Sequence, residues 1–134
     1  MHFSVEHVGL PARDPRRLME WYVNILGAQL RYKDGQTPPA FFVALPDGLM
    51  LEIYQATSSL PETSDNKLGG WRHLALHVDC LETAKAELEQ RGLKFTESIK
   101  PAGGGGRVLF FQDAEGNLLH LVERPADSPL KKLE

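Results

Sequence analysis

The sequence predicts an α+β fold of two tandem βαβββ modules, whose curved mixed sheets surround a concave cleft. One order of elements, a strand, a helix and three strands, can be traced twice along the 134 residues. His7 precedes Glu52 by 45 residues, and His73 precedes His120 by 47. Gly48 stands four residues before Glu52, as Gly116 does before His120, in the related strings GLMLE and GNLLH. A repeat of this length sets the fold class.

The first module covers residues 3–55. After a strand at 3–11, Asp14 is a suitable helix N-cap and Pro15 suits the first turn, where its missing N–H costs nothing. Gly27 is the predicted C-cap. The helix between them has apolar residues at helical spacing, namely Leu18, Trp21, Tyr22, Ile25 and Leu26. Strands are predicted at 29–33, 40–45 and 49–55, with a turn at 46–48.

Residues 56–70 are a predicted linker, rich in Ser, Thr, Pro, Asp and Gly, before the second module at 71–124. After a strand at 71–78, Asp79 and Glu82 fit a capping box for a helix that ends at Gly92. The apolar residues of this helix are Leu81, Ala84 and Leu88. Further strands are predicted at 93–97, 107–112 and 117–123, and a loose tail from 125 to 134.

Composition excludes several classes of protein. The net charge of −3 gives no basic face for nucleic acid. Cys80 is the single cysteine and cannot form an internal disulfide, so the cysteine content gives no indication of secretion. No apolar stretch reaches the roughly 18 residues of a membrane span. The N-terminus has neither the basic segment nor the apolar run of a signal peptide, so we expect a cytoplasmic protein.

Four residues at equivalent positions of the two modules predict a metal site. Alternate residues of a strand face opposite sides of the sheet. In the predicted strands at 49–55, 71–78 and 117–123, the apolar residues of one face belong under the helix, and the other face carries a potential ligand. Imidazole and carboxylate groups suit Zn, Ni, Co, Fe or Mn. The predicted ligands of one divalent ion are His7, Glu52, His73 and His120.

Three other features compete with this assignment or add to it. Glu123 is the alternative to His120, although it has the opposite strand parity and would need a bulge to reach the site. Tyr54 and His77 lie on the ligand face and are candidate substrate contacts. The glycine run at 103–106 lacks the context of a phosphate loop and is either a flap or a simple loop. Trp21, Tyr22, Phe110 and Phe111 are predicted core residues.

These marks resemble the vicinal oxygen chelate superfamily, the glyoxalase/bleomycin resistance protein/dioxygenase group. The resemblance covers residues 3–124 and rests on HVGL at 7–10, the helix at 14–27, LEI at 51–53, HLAL at 73–76 and DAEGNLLH at 113–120. It implies a metal at the four positions named above. It also implies a homodimer with sites between chains. One fold of this kind hosts many reactions, so the marks do not select an activity.

One departure separates the chain from glyoxalase I, which usually carries Glu at the position of His120. Glu52 is then the only carboxylate in the ligand set and the candidate catalytic base. The predicted function is a metal-dependent lyase or isomerase acting on a small molecule with two adjacent oxygens. The alternatives are an extradiol-type dioxygenase and a bleomycin-resistance-like binding protein without catalysis.

Overall fold

The computed structural model of the chain describes residues 1–58 and 63–130. It has two four-stranded mixed sheets and two helices, so the predicted pair of βαβββ modules is confirmed. The sheets have the strand orders β1-β4-β3-β2 and β5-β8-β7-β6. The elements are β1 (His7–Ala12), α1 (Pro15–Leu26), β2 (Gln29–Lys33), β3 (Phe41–Ala44), β4 (Met50–Gln55), β5 (His73–His77), α2 (Leu81–Gln90), β6 (Lys100–Pro101), β7 (Arg107–Gln112) and β8 (Leu118–Glu123).

The sheets follow one pairing scheme. β1 runs parallel to β4 and β5 parallel to β8, whereas the other neighbours are antiparallel. In β4 and β8 the apolar positions on one face are almost fully buried: Leu51, Ile53, Leu119 and Leu121. Each helix contributes buried leucines to the core of its sheet, among them Leu18 and Leu81. Within the described residues, no helix is long and apolar enough to cross a membrane.

Helix α1 has the caps that the sequence predicts. The Asp14 carboxylate accepts a hydrogen bond from the Arg17 amide at 3.1 Å. Gly27 ends the helix with φ of 72°, in the left-handed region that glycine enters without steric cost. The predicted apolar positions face the core, apart from Trp21, which is half-buried.

Helix α2 begins differently, and the predicted capping box of Asp79 and Glu82 is wrong. The N-cap is Cys80, whose side chain makes no capping bond. The Leu81 amide donates instead to Glu123 Oε2 at 2.8 Å, from the end of β8. Arg107 binds both oxygens of Glu82, at 2.6 and 2.9 Å, and the Glu82 carboxylate also accepts from the Cys80 thiol at 3.8 Å rather than from the Asp79 amide. A carboxylate distant in sequence therefore supplies the cap.

Three predicted strands differ from the structure by more than one residue at an end. β1 and β5 are shorter than predicted, because residues 3–6, 71, 72 and 78 lie outside the strands. The predicted strand at 93–97 is absent, and the sheet edge is the two-residue strand Lys100–Pro101. Leu93 and Phe95 are half-buried, and the Phe95 ring packs against Phe111 at 5.6 Å. The alternation of apolar residues at 93–97 thus reflects side-chain packing, because this segment does not pair with a neighbouring strand.

The tail is more tightly held near residue 128 than the predicted loose segment. Ser128 is buried and its hydroxyl donates to the Gly104 carbonyl at 3.0 Å. The Arg124 guanidinium donates to the carbonyls of Gly103 and Gly105. The glycine run therefore forms a loop between β6 and β7 whose carbonyls are bound by the following chain. Residues 59–62 of the predicted linker and 131–134 of the tail lie outside the described residues.

The chain separates into two compact units, and the division does not follow the sequence order throughout. One unit comprises residues 1–61 with 113–115, and the other comprises 62–112 with 116–134. In the first unit, Glu115 accepts hydrogen bonds from the Arg13 and Asp14 amides at the start of α1. The Tyr22 hydroxyl donates to Asp113 Oδ2 at 2.8 Å. The turn after β7 is thus a structural part of the first unit.

Candidate metal centre

The first pair of predicted ligands lies on neighbouring strands of the first sheet. β1 and β4 are parallel, with His7 opposite Met50 and Gly9 opposite Glu52. His7 and Glu52 therefore share one face of the sheet. His7 Nε2 lies 3.6 Å from Glu52 Oε1, and each side chain is about one-third exposed. An ion contacting both groups would keep access to solvent or substrate.

The second pair occupies the equivalent strands of the second sheet. Ala75 pairs with His120, so His73 and His120 lie two residues apart in register on one face. Their ring centroids are 4.8 Å apart. His120 is buried, and this burial, helped by the electrostatic influence of His73 and Arg124, lowers the pKa of its imidazole. The Leu121 carbonyl opposes that shift. A neutral imidazole is the form that binds metal.

An aromatic ring borders each pair, and the sequence analysis missed this role. Phe42 on β3 is opposite Glu52, and its ring lies 5.4 Å from that of His7. Phe110 on β7 is opposite His120, with ring centroids 4.8 Å apart. The prediction of Phe110 as core is therefore wrong, because it is half-buried and faces the histidines. The available signal was its spacing, since each Phe precedes its pair's β4 or β8 member by ten residues.

All three predicted histidine ligands have Nδ1 beside an oxygen acceptor. His7 Nδ1 lies 2.9 Å from Glu6 Oε1, and His73 Nδ1 lies 2.7 Å from Asn66 Oδ1. His120 Nδ1 lies 3.3 Å from the Leu121 carbonyl. Carboxylate, amide and carbonyl oxygens accept, so a proton on Nδ1 satisfies each of these contacts, and that tautomer has its lone pair on Nε2. Metal-binding histidines commonly have this arrangement.

The contact between His73 and Asn66 can be tested by its effect on metal affinity. Asn66→Leu removes the acceptor that fixes the ring, and we expect a loss of about 10–100-fold in affinity for Zn²⁺. Asn66→Asp retains an oxygen acceptor and should preserve the affinity within a few-fold. Competition with a chromophoric chelator measures both values. Equal affinities for Asn66→Leu and the unaltered protein would contradict this role for Asn66.

The remaining site predictions have different surroundings. Tyr54 shares the face of Glu52, and its ring crosses the neighbouring strand, where a Cβ at Gly9 would lie 3.3 Å from Tyr54 Oη. His77 is exposed on β5, on the face of His73. Glu123 is bound to the Leu81 amide and to Arg107, which lower the pKa of its carboxyl. Its carboxylate therefore supports helix α2 and β7.

A third group of potential ligands is explained by an ion-pair network. Cys80, Glu82 and Glu123 place ligand atoms within 4.8 Å of one another, in the part of the chain that the structure describes. The Arg107 guanidinium, however, already binds both carboxylates. Chiefly through that hydrogen bonding, the pKa of Glu82 falls to about 2. The network ties α2 to the sheet and needs no metal.

The four predicted ligands occur as two pairs, His7 with Glu52 and His73 with His120, one in each compact unit.

Both the sequence and the fold are similar to those of a known superfamily. The profile of the Glyoxalase/Bleomycin resistance protein/Dioxygenase superfamily matches residues 4–121. The crystal structure of a glyoxylase/bleomycin resistance protein/dioxygenase domain from Frankia sp. EAN1pec aligns with a TM-score of 0.73 and 26% identity, covering 95% of this chain and 96% of that chain.

Two further proteins resemble the chain. A variant of the genomically encoded fosfomycin resistance protein FosX from Listeria monocytogenes, solved with Mn(II), aligns with a TM-score of 0.70 and 20% identity, covering 98% of each chain. The mitochondrial methylmalonyl-CoA epimerase of Bos taurus is 24% identical over 132 residues, which cover 89% of this chain and 73% of the bovine protein. At 20% identity, the likeness to FosX concerns the fold.

Proposed function

The chain belongs to the Glyoxalase/Bleomycin resistance protein/Dioxygenase superfamily, and from this premise we propose that it is a metal-dependent lyase or isomerase. Its substrate would be a small molecule with two adjacent oxygens. The observation that carries the proposal is the common placement of the Nδ1 atoms of His7, His73 and His120, each of which lies beside an oxygen acceptor. Three histidines prepared in one way, beside one carboxylate, form a ligand set rather than scattered polar residues.

The donor set fits a divalent transition metal. Three imidazole Nε2 atoms and one carboxylate oxygen suit Zn, Ni, Co, Fe or Mn better than Ca or Mg, which prefer oxygen ligands. In this proposal the four residues together hold one ion. When bound, the ion would supply Lewis-acid polarisation of the two substrate oxygens. The FosX relative with Mn(II) supports a metal in this fold.

The residues of the chain would carry out the proton transfer. Glu52 is the candidate base, because its carboxylate is one-third exposed and 3.6 Å from His7 Nε2. Tyr54, held beside Gly9 on the same face, offers a hydroxyl to the substrate. His77 is exposed on the corresponding strand of the second sheet and is a second candidate substrate contact. Phe42 and Phe110 each place an apolar ring beside one of the two pairs.

The kind of reaction follows from the single carboxylate. An imidazole at position 120 can bind metal but cannot serve as a proton shuttle while its Nε2 is ligated, which disfavours the glyoxalase I reaction with its two glutamates. A single base suits the transfer of a proton on one face of the substrate, which is an isomerase reaction, and methylmalonyl-CoA epimerase, to which the chain is similar, also belongs to the isomerase class. The homodimer with sites between chains and the cytoplasmic location, both expected from the sequence, are parts of this proposal.

Elemental analysis of untagged protein, purified without chelator, tests the proposal. We expect about one transition-metal ion per chain, removed by EDTA and restored by dialysis against Zn²⁺, Ni²⁺ or Mn²⁺. Light scattering of the same samples would give the oligomeric state. If no metal is bound after reconstitution, the metal-dependent enzyme is refuted, and the bleomycin-resistance-like binding protein without catalysis is the better account. Stoichiometric Fe(II) with oxygen consumption on catechols would instead establish the dioxygenase, whose two-His, one-carboxylate ligand type the donor set also contains.

A further inference from the structure

The two sheets carry a second repeat beside the predicted ligands. In the first sheet Tyr32 pairs with Phe42, which pairs with Glu52. In the second sheet Phe110 pairs with His120, and Lys100 pairs with Val108, two residues before Phe110 on the same face. The residues Lys100, Phe110 and His120 each follow their counterparts Tyr32, Phe42 and Glu52 by 68 positions. We name these sets the tyrosine row and the lysine row.

The lysine row places a cation next to the second ligand pair. Lys100 Nζ lies 4.7 Å from the centroid of the Phe110 ring. β7 lies between β6 and β8, so that ring separates the ammonium from the His120 imidazole. The strand residues of this face carry no Asp or Glu, and their ionisable members are Lys100, His73, His77 and His120. Among residues 1–58 and 63–130, no carboxylate lies within ion-pair distance of Lys100.

The backbone at Lys100 is held by strand pairing, whereas its side chain can move from the Phe110 ring toward a bound anion. Lys100 and Pro101 pair with Val108 and Arg107 across the glycine loop. The Ala102 amide donates to the Gly106 carbonyl at 3.0 Å. Arg124, the other cation that acts on His120, is bound to loop carbonyls and helps to hold the turn. A cation over an exposed aromatic face is held only weakly, so a stronger anionic partner can draw the Lys100 ammonium away.

We propose that Lys100 forms an anion-binding subsite beside the His73–His120 pair, and that the substrate carries a carboxylate or phosphoryl group besides its two adjacent oxygens. The tyrosine row offers a neutral phenol at the equivalent position of its own sheet, so the cation is particular to the lysine row. This inference rests on the metal site proposed above, because the anionic group is defined relative to the metal-bound oxygens. Lys100 is a specificity-determining residue in this scheme, and Glu52 remains the base.

The test uses metal chelators that differ only at their distal end. Succinohydroxamate ends in a carboxylate and its terminal amide in a neutral group of the same shape, while both bind metal through the same two oxygens. Their dissociation constants are measured by calorimetry on Mn(II)-loaded protein, for the unaltered chain, Lys100→Met, Lys100→Arg and Lys85→Met. The last variant makes the same charge change on helix α2. Phosphonoacetohydroxamate is added to distinguish phosphonate from carboxylate recognition.

We expect the unaltered protein and Lys85→Met to prefer the carboxylate to the amide by about tenfold, since charged hydrogen bonds are the strong ones. Lys100→Met should lose that preference while its affinity for the amide stays unchanged, and Lys100→Arg should keep most of it. A preference that is absent, or that survives in Lys100→Met while both probes bind, would overturn the subsite and leave the metal site intact. Failure of every variant to bind Mn(II) would refute the proposed function, and the subsite with it.

Discussion

Replacement of His73 by alanine is expected to abolish stoichiometric metal binding. The change removes one proposed ligand together with its hydrogen bond to Asn66 Oδ1, which orients the ring. Loss of an outer contact alone reduces metal affinity by about 10–100-fold, so loss of the ligand should exceed about 100-fold. Glu52→Ala should have a comparable effect, because it removes the only carboxylate of the set. Elemental analysis after dialysis against a buffered metal would measure both.

His77→Ala is the matched control for the His73 variant. His77 lies on the same strand and the same face, two residues past Ala75. It should retain about one ion per chain, which would separate ligation from a general loss of histidine. Circular dichroism of each variant would show that the sheets are intact. Metal content unchanged in both His73→Ala and Glu52→Ala would contradict the four-residue site.

The sequence was informative where a property repeats at short range. Alternation within β4, β5 and β8 identifies the face that carries Glu52, His73 and His120, because the opposite positions are apolar. The caps of α1 were also predictable, since Asp14 and Gly27 act on adjacent backbone. Each depends on residues within a few positions of one another, so no tertiary information was needed. The joining of the two pairs into one ion site stays a prediction.

Features that depend on strand register were not predictable in the same way. Phe110 looked like a core residue because only its pairing with His120 places it on the ligand face. The cap of α2 was missed for a similar reason, since the Glu123 carboxylate comes from 42 residues away. Arg107 then draws Glu82 from the local capping role that its position favours. A local propensity lost to a tertiary contact in both cases.

The turn at 113–115 gives the second large expected effect, on the stability of the first unit. Asp113 is buried, with Oδ2 accepting from the Tyr22 hydroxyl and Oδ1 from the Glu115 amide. Burial and the adjacent carboxylate raise the pKa of Tyr22 well above its ordinary value, so the phenol remains a donor. Tyr22→Phe leaves the buried carboxylate without this donor and should cost about 1–3 kcal/mol.

Asp113→Ala should cost at least as much, because the Tyr22 hydroxyl and the Glu115 amide both lose their acceptor. The free energies of unfolding of both variants and of the double variant, measured in urea, form a cycle with an expected coupling of about 0.5–3 kcal/mol. Additive losses would show that the bond between Tyr22 and Asp113 contributes no net stability. Metal content provides an independent readout, since Tyr22→Phe touches none of the proposed ligands and should bind metal as the unaltered chain does. Loss of metal in Tyr22→Phe at a temperature where the variant remains folded would instead link the buried pair to the geometry of His7 and Glu52.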